Sequence, residues 1–244
     1  MRTYIKSELL GEYKIIEAAN GAEGFEKALE HNPELIISDV MMPGIDGIEF
    51  CSNIKNNELT SHIPVVLLTA KNTEENTIKG FDSGADDYIA KPFSAAVLKS
   101  RIKNILHTRE TLRKLFSGVI KIEPKQITLN ATDEKFMTKI FQIVEQNIEN
   151  SEFSVVMLAD STAMTPKTLL RKIKAVTGEN VNDFITSMRM KKAAQLLVST
   201  DRNISEISYM VGFCDPEYFS KCFKNHFGKA PSHFRGSQSG ISFG

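Results

Sequence analysis

Displaced against itself by 50 residues, the second half of the sequence repeats: TPKTLLRKIKAVTG (165–178) falls on DPEYFSKCFKNHFG (215–228) without a gap. Proline meets proline, Arg171 meets Lys221, Lys174 meets Lys224, Gly178 meets Gly228, and the apolar Leu169 and Ile173 meet Phe219 and Phe223. Each copy opens on a cap residue (Thr165, Asp215) with proline at the first helical position and closes on a glycine suited to a left-handed C-cap. The pattern predicts two short, sharply bounded helices. A further short helix is expected before each, over 154–160 and over 203–211, where Asn203 and Glu206 stand at capping-box spacing. Helix, tight turn and basic second helix is the geometry of a major-groove reader. Between the copies, Val181, Phe184, Ile185, Met188, Ala193, Ala194 and Leu197 mark a helix of about 18 residues, roughly 27 Å long, which suits two recognition helices set about one DNA turn, near 34 Å, apart.

The first half follows a different pattern. Apolar runs of strand length at 13–18, 35–38, 65–69 and 88–90 alternate with segments of helical period such as Phe25, Ala28, Leu29 and Ile48, Phe50, Ile54. Strands alternating with helices predict parallel βαβ units, whose ligands gather at the carboxyl ends of the strands. Those ends carry Asp39, Thr69 and Lys91. Taken singly, the aspartate is an ordinary cap or turn residue, the threonine a strand end and the lysine solvated surface. Together they place a carboxylate, a hydroxyl and an ammonium at one crevice able to hold a phosphoryl group, with Asp39 as nucleophile, Lys91 as counter-charge and Thr69 as hydrogen-bond donor.

These residues sit in the frames IISDVMMPGIDG, PVVLLTA and GADDYIAKPF, with intervals of 30 and 22 residues from Asp39 to Thr69 to Lys91. In this the sequence resembles the receiver domain of bacterial two-component response regulators over roughly residues 2–107. The resemblance implies a flavodoxin-like α/β fold, Asp39 as acceptor of phosphate from a histidine kinase, Thr69 and Lys91 on the phosphoryl group, Tyr88 as an aromatic switch and a cis Lys91–Pro92 peptide. It also implies a Mg²⁺ site of which Asp39 and the Met41 carbonyl are two elements. The acidic pair that completes that site belongs to a first strand expected just upstream of Met1, whereas 2–10 already reads as the first helix. The metal site is therefore expected to be incomplete, with Mg²⁺ a cofactor of a longer parent protein and not bound by this chain. Without that strand, residues 13–18 are expected to shift and pair directly with 35–38, the alternatives being a strand exchanged by a second chain or displacement of the segment up to about Ala18.

Leu98, Ile102, Ile105, Leu112 and Phe116 recur at four- and three-residue steps, which reads as a last receiver helix (94–107) and an extension able to pair with a second copy. Residues 119–133 hold Pro124 and no helical period, so the linker is expected there. Beyond it, NISEISYMVGF through DPEYFSKCFKNHFGKAPSHFR, together with MRMKKAAQLL, is similar to the AraC-type DNA-binding domain over roughly 134–236. By that resemblance Lys167, Thr168 and Arg171 face bases in one major-groove segment and Glu217, Tyr218, Ser220 and Lys221 in the next. Ile207, Val211, Phe213, Phe219, Phe223 and Phe227 would be core. Pro166 and Pro216 depart from the polar residues common at those positions. The expected domains are thus a receiver (1–107), a helical extension and linker (108–133), an all-α double helix-turn-helix domain (134–236) and a tail (237–244). That order resembles the carboxyl-terminal end of hybrid sensor proteins, with a stand-alone regulator as the other possibility.

The formal net charge is zero, but residues 1–118 carry 14 Lys+Arg against 17 Asp+Glu, and 119–244 carry 16 against 13. The basic excess lies in clusters at 171–174, 191–192 and 221–224, as expected when one half senses and the other binds an anion. No apolar run approaches the roughly 20 residues of a membrane span, so no membrane contact is expected of this segment, although a parent chain could be anchored in the inner membrane. Three cysteines without metal spacing and no secretory signal point to the cytoplasm and no structural zinc. No Ser/His/Asp frame, GxSxG or phosphate-cradling glycine loop is present, so an enzyme is not expected. The function expected is a phosphorylation-gated regulator binding double-stranded DNA, a homodimer when active. The alternative is a phosphate-independent dimerisation or adaptor module with DNA-binding output.

Overall fold

The computed structural model of the protein describes residues 1–70, 83–118 and 123–238. Residues 119–122 of the expected linker and 239–244 of the expected tail lie outside the described residues. Two compact units are present, Met1–Leu112 with Thr128–Glu134, and Arg113–Ile127 with the chain from Lys135 onward.

In the first unit, α1 (Arg2–Leu9) and α2 (Gly21–His31) precede β1 (Ile36–Asp39), α3 (Gly47–Asn56), β2 (Val65–Ala70), β3 (Asp87–Lys91) and the larger part of α4 (Ala95–Gly118), whose residues from Arg113 belong to the second unit. The three strands form a parallel sheet in the order β1-β2-β3. Alternate β2 residues serve opposite faces, as the twofold period of a strand requires. Val65 and Leu67 join Phe50, Cys51 and Ile54 on one face, and Val66 and Leu68 join Ile89, Leu98 and Ile102 on the other. Local chemistry sets the helix limits. The Asn20 side chain accepts from the Glu23 amide at the start of α2, and Asn32 ends that helix in the left-handed region. Asp46 accepts from the Ile48 and Glu49 amides to start α3. Glycine is required at Gly47, where a Cβ would stand 2.1 Å from the Asp39 carbonyl oxygen.

Residues 13–18 do not form a strand and do not pair with β1, contrary to the expected shift. Tyr13 and Ile15 instead pack with Leu9 on the Leu98 face, while Lys27 and Arg2 donate to the Glu17 and Ala18 carbonyls and Lys6 bonds the Glu17 carboxylate. Apolar seating and basic side chains thus satisfy this segment without a ladder.

α5 (Ala131–Gln146) begins within the stretch expected as linker and belongs to the second unit from Lys135 onward, where it is followed by α6 (Val155–Ser161), α7 (Pro166–Thr177), α8 (Val181–Ser199), α9 (Ile204–Met210), α10 (Pro216–Phe227) and α11 (Pro231–Gln238). The expected caps are in place: Thr165, Asn203 with Glu206, and Asp215 at amino ends, and Gly178 and Gly228 in the left-handed region at carboxyl ends, and Ser154, expected inside its helix, caps α6. α8 divides its apolar residues between two cores. Val181, Phe184, Ile185 and Met188 join Phe136, Ile140, Leu169 and Ile173, whereas Met190, Ala193, Ala194 and Leu197 join Ile207, Val211, Phe219 and Phe223. A helix shared in this way has to be apolar around most of its circumference.

Candidate functional site

The carboxyl ends of the three strands place the first set of residues. Lys91, at the end of β3, reaches across the end of β2 to Asp39 at the end of β1, and its ammonium lies 2.5 Å from Oδ2. The other carboxylate oxygen accepts from the Met41 amide at 3.0 Å. Both side chains keep partial exposure, so the carboxylate is paired yet reachable. Thr69 stands at the same sheet edge, but its hydroxyl donates to the Ala70 carbonyl at 3.2 Å. Tyr88 is half-buried among the residues packed on the Phe50 face, its hydroxyl 3.4 Å from Ser83 Oγ, and burial pushes the phenol pKa up. The Lys91–Pro92 peptide is cis.

A hard dication asks for several oxygen ligands. Asp39 has one oxygen on Lys91 and the other on the Met41 amide, and no group of three or more His, Cys, Asp or Glu side chains among the described residues could hold a metal. The described residues around Asp39 therefore do not by themselves assemble the oxygen set of a Mg²⁺ site.

The second set lies on α7 and α10. Each is the second helix of a helix-turn-helix pair, α6–α7 and α9–α10, and the pairs differ in one respect. α6 maps onto α9 with an offset of 49 residues and α7 onto α10 with 50, so the second turn is one residue longer. The turns use Ala163 (φ 56) and Gly212 (φ 75) at corresponding positions. On α7, Lys167 and Lys174 are exposed and Thr168 and Arg171 partly so, while Leu169 and Ile173 are buried. On α10, Glu217, Tyr218, Lys221 and Lys224 are exposed and Ser220 partly so, while Phe219 and Phe223 are buried. Two hydroxyls are used locally: Thr168 bonds the cap hydroxyl of Thr165 at 2.9 Å, and Ser220 donates to the Pro216 carbonyl at 2.9 Å.

Residues 1–103 match the response regulator receiver domain family, and residues 158–237 match a helix-turn-helix domain family. The chain is a receiver domain followed by an AraC-type helix-turn-helix domain. It is 45% identical over 98% of its length to "Histidine kinase P4" of Formosa agariphila, of which it spans 17%. It is 46% identical over 43% of its length to the transcriptional regulatory protein ResD of Bacillus subtilis, spanning 42% of that protein. Among solved structures, a transcriptional regulator from Chromobacterium violaceum with an AraC-type DNA-binding domain is 26% identical, with a TM-score of 0.43, covering 46% of this chain and all of that one. The chain thus spans less than half the length of these two curated relatives. No helix among the described residues is long and apolar enough to cross a membrane.

Within the AraC-type domain the basic clusters read from sequence are thinner at the surface than their composition suggests. Lys172 is 1% exposed, with its ammonium 4.5 Å from the Phe136 ring centroid, and Lys191 is 4% exposed, donating to the Phe116 carbonyl at 2.5 Å. Neither belongs to the basic face. Two residues outside the repeat also join this domain: Phe116, stacked on Phe184 at 5.4 Å, and Arg113, which donates twice to the Ala175 carbonyl. Their sequence signal was the four-residue step from Leu112 to Phe116, read as a face for helix pairing; Phe116 is buried in the domain core instead.

Proposed function

We propose that this chain is the output of a two-component system, in which phosphorylation of Asp39 gates sequence-specific binding of double-stranded DNA by α7 and α10. In the transfer step an Asp39 oxygen attacks the phosphorus of a kinase phosphohistidine. The new O–P bond forms as the N–P bond breaks, and the imidazole leaves with that electron pair. Lys91 then has a dianionic group to bond in place of the carboxylate oxygen it now holds, and Thr69 can turn its hydroxyl from the Ala70 carbonyl to a phosphoryl oxygen. Tyr88, as the expected aromatic switch, would give up its 3.4 Å contact with Ser83 Oγ in that rearrangement. On the DNA side, Lys167, Thr168 and Arg171 would read one major-groove segment and Glu217, Tyr218, Ser220 and Lys221 the next, with the protein pairing as a homodimer when phosphorylated. The chain belongs in the cytoplasm on this reading, attached to a sensor or free.

The Asp39–Lys91 ion pair at the sheet edge, in one chain with two basic second helices, carries this reading. It is tested by selecting sequences from random duplex DNA with the full chain, phosphorylated by a histidine kinase domain, beside Asp39→Asn. Recovery of a direct repeat with half-sites about one turn apart, bound more tightly by the phosphorylated chain than by the variant, is the expected result. Equal binding by both would favour the phosphate-independent module.

A further inference from the structure

The last turns of α4 lie within the AraC-type unit and meet the first recognition helix at its carboxyl end. A helix leaves its last four carbonyls without intrahelical donors, and a cation there also meets the negative end of the helix dipole. In α7 one of those carbonyls, that of Lys174, accepts from the Gly178 amide. Another, that of Ala175, accepts from Arg113 Nε at 3.0 Å and Nη2 at 2.8 Å. The same side chain packs under the C-cap, where a Cβ on Gly178 would come within 3.2 Å of Arg113 Cβ. One turn on, Phe116 is fully buried, ring to ring with Phe184 and with Phe141 at 6.4 Å. Its carbonyl accepts from the buried Lys191, whose ammonium also lies 4.8 Å from the Phe116 ring centroid. A surface helix would leave both groups in water. Here a bidentate guanidinium, an aromatic stack and a buried ammonium converge on about one helical turn.

We propose that Arg113 is a positioning residue for α7, seated by Phe116 and Lys191, so that the first recognition helix is held for DNA by the end of the receiver's final helix. This deepens the reading above and rests on it for the DNA step. Control is then asymmetric: a change reaching the end of α4 alters the α7 half-site, and the α10 half-site keeps its own support from the Ile207–Phe223 core.

The test uses the full chain with Arg113→Ala and Arg113→Lys. Amide hydrogen exchange is followed over α7 and α10, and footprints are taken on the DNA site selected by the unaltered chain. Arg113→Ala should speed exchange in the last turn of α7 by about tenfold, as loss of a charge-assisted bond would, and leave α10 unchanged. It should weaken protection of the α7 half-site alone, and Arg113→Lys, which keeps the charge but not the fork, should restore part of both effects. Unchanged exchange in α7, or equal loss at the two half-sites, would overturn the proposal. If the unaltered chain selects no DNA, the DNA-binding reading fails and the exchange comparison alone decides the role of Arg113.

Discussion

Two lysines show how little a residue's charge says about its work until its neighbours are known. Burial is the main influence on Lys191, against a smaller opposing pull from Glu179, and takes its pKa from 10.5 to about 8. Below about pH 8 the folded and unfolded chains both hold this proton. Between about 8 and 10.5 only the unfolded chain does, so this group makes stability rise with pH across that window. Thermal melting of the full chain from pH 7.5 to 10.5 should show that rise, and Lys191→Met should flatten it. His226 works at the other end, its pKa lowered by burial first and by Lys191 second, so protonation is resisted in the folded chain and stability falls as pH drops below 6.5. Lys172 and Lys221 make the complementary comparison on DNA. If Lys221 meets a phosphate, Lys221→Ala should reduce the slope of log affinity against log salt by about one. Lys172→Met should leave that slope alone and act on the melting temperature, and a reduced slope for Lys172→Met would mean that its ammonium is not held over Phe136 when DNA is bound.

At the scale of elements, what was legible in the sequence was what local chemistry decides. Caps at Thr165, Asp215 and Asn203, the closing glycines, and strand ends at Asp39 and Lys91 all follow from residues within a few positions of one another, and the helices and strands begin and end close to where those residues predict. Pairing was not legible. Residues 13–18 have the composition of a strand, but their neighbours in space, Leu9, Arg2 and Lys27, come from two helices, and no local pattern announces that competition. The burial of Lys172 and Lys191 was hidden for the same reason. The one-residue difference between the two turns lay outside the ungapped match. Two left-handed glycines of this half set a testable contrast. Gly212 and Gly228 have nearly the same φ, +75 and +74, but a Cβ at Gly212 would meet the Ile148 carbonyl oxygen at 2.5 Å, whereas one at Gly228 meets nothing within 4 Å. Gly228→Ala should therefore cost only the left-handed backbone, roughly 1 kcal/mol, and Gly212→Ala more than about 3 kcal/mol. Denaturant melts of the two variants would check this, and equal costs would mean that the Gly212 turn relaxes away from Ile148.

For the molecule as a whole, the boundary drawn from sequence at residue 134 cuts through a core. Phe116 and Ile127 are buried with Phe136, Phe141 and Phe184, so a fragment of residues 134–238 lacks side chains that one of 108–238 keeps. Truncating a buried phenylalanine costs about 3–5 kcal/mol, a large part of a small domain's stability. The shorter fragment should melt well below the longer one, with any DNA affinity it has falling in step. The same accounting separates two ways in which phosphate could gate the full chain. If phosphorylation of Asp39 pairs two chains, the gain comes from the raised effective concentration of the second DNA-binding domain and needs no new base contact. Affinity for DNA carrying one copy of the selected site should then be unchanged on phosphorylation, while DNA carrying two copies binds more tightly and with a Hill slope rising from about 1 towards 2. If phosphorylation instead frees a single domain, the one-copy and two-copy DNAs should gain affinity by the same factor with no change in slope. Titrations of both DNAs with the phosphorylated chain and with Asp39→Asn distinguish the two, and we expect the pairing result, because a raised effective concentration of the second domain needs no new contact on α7 or α10.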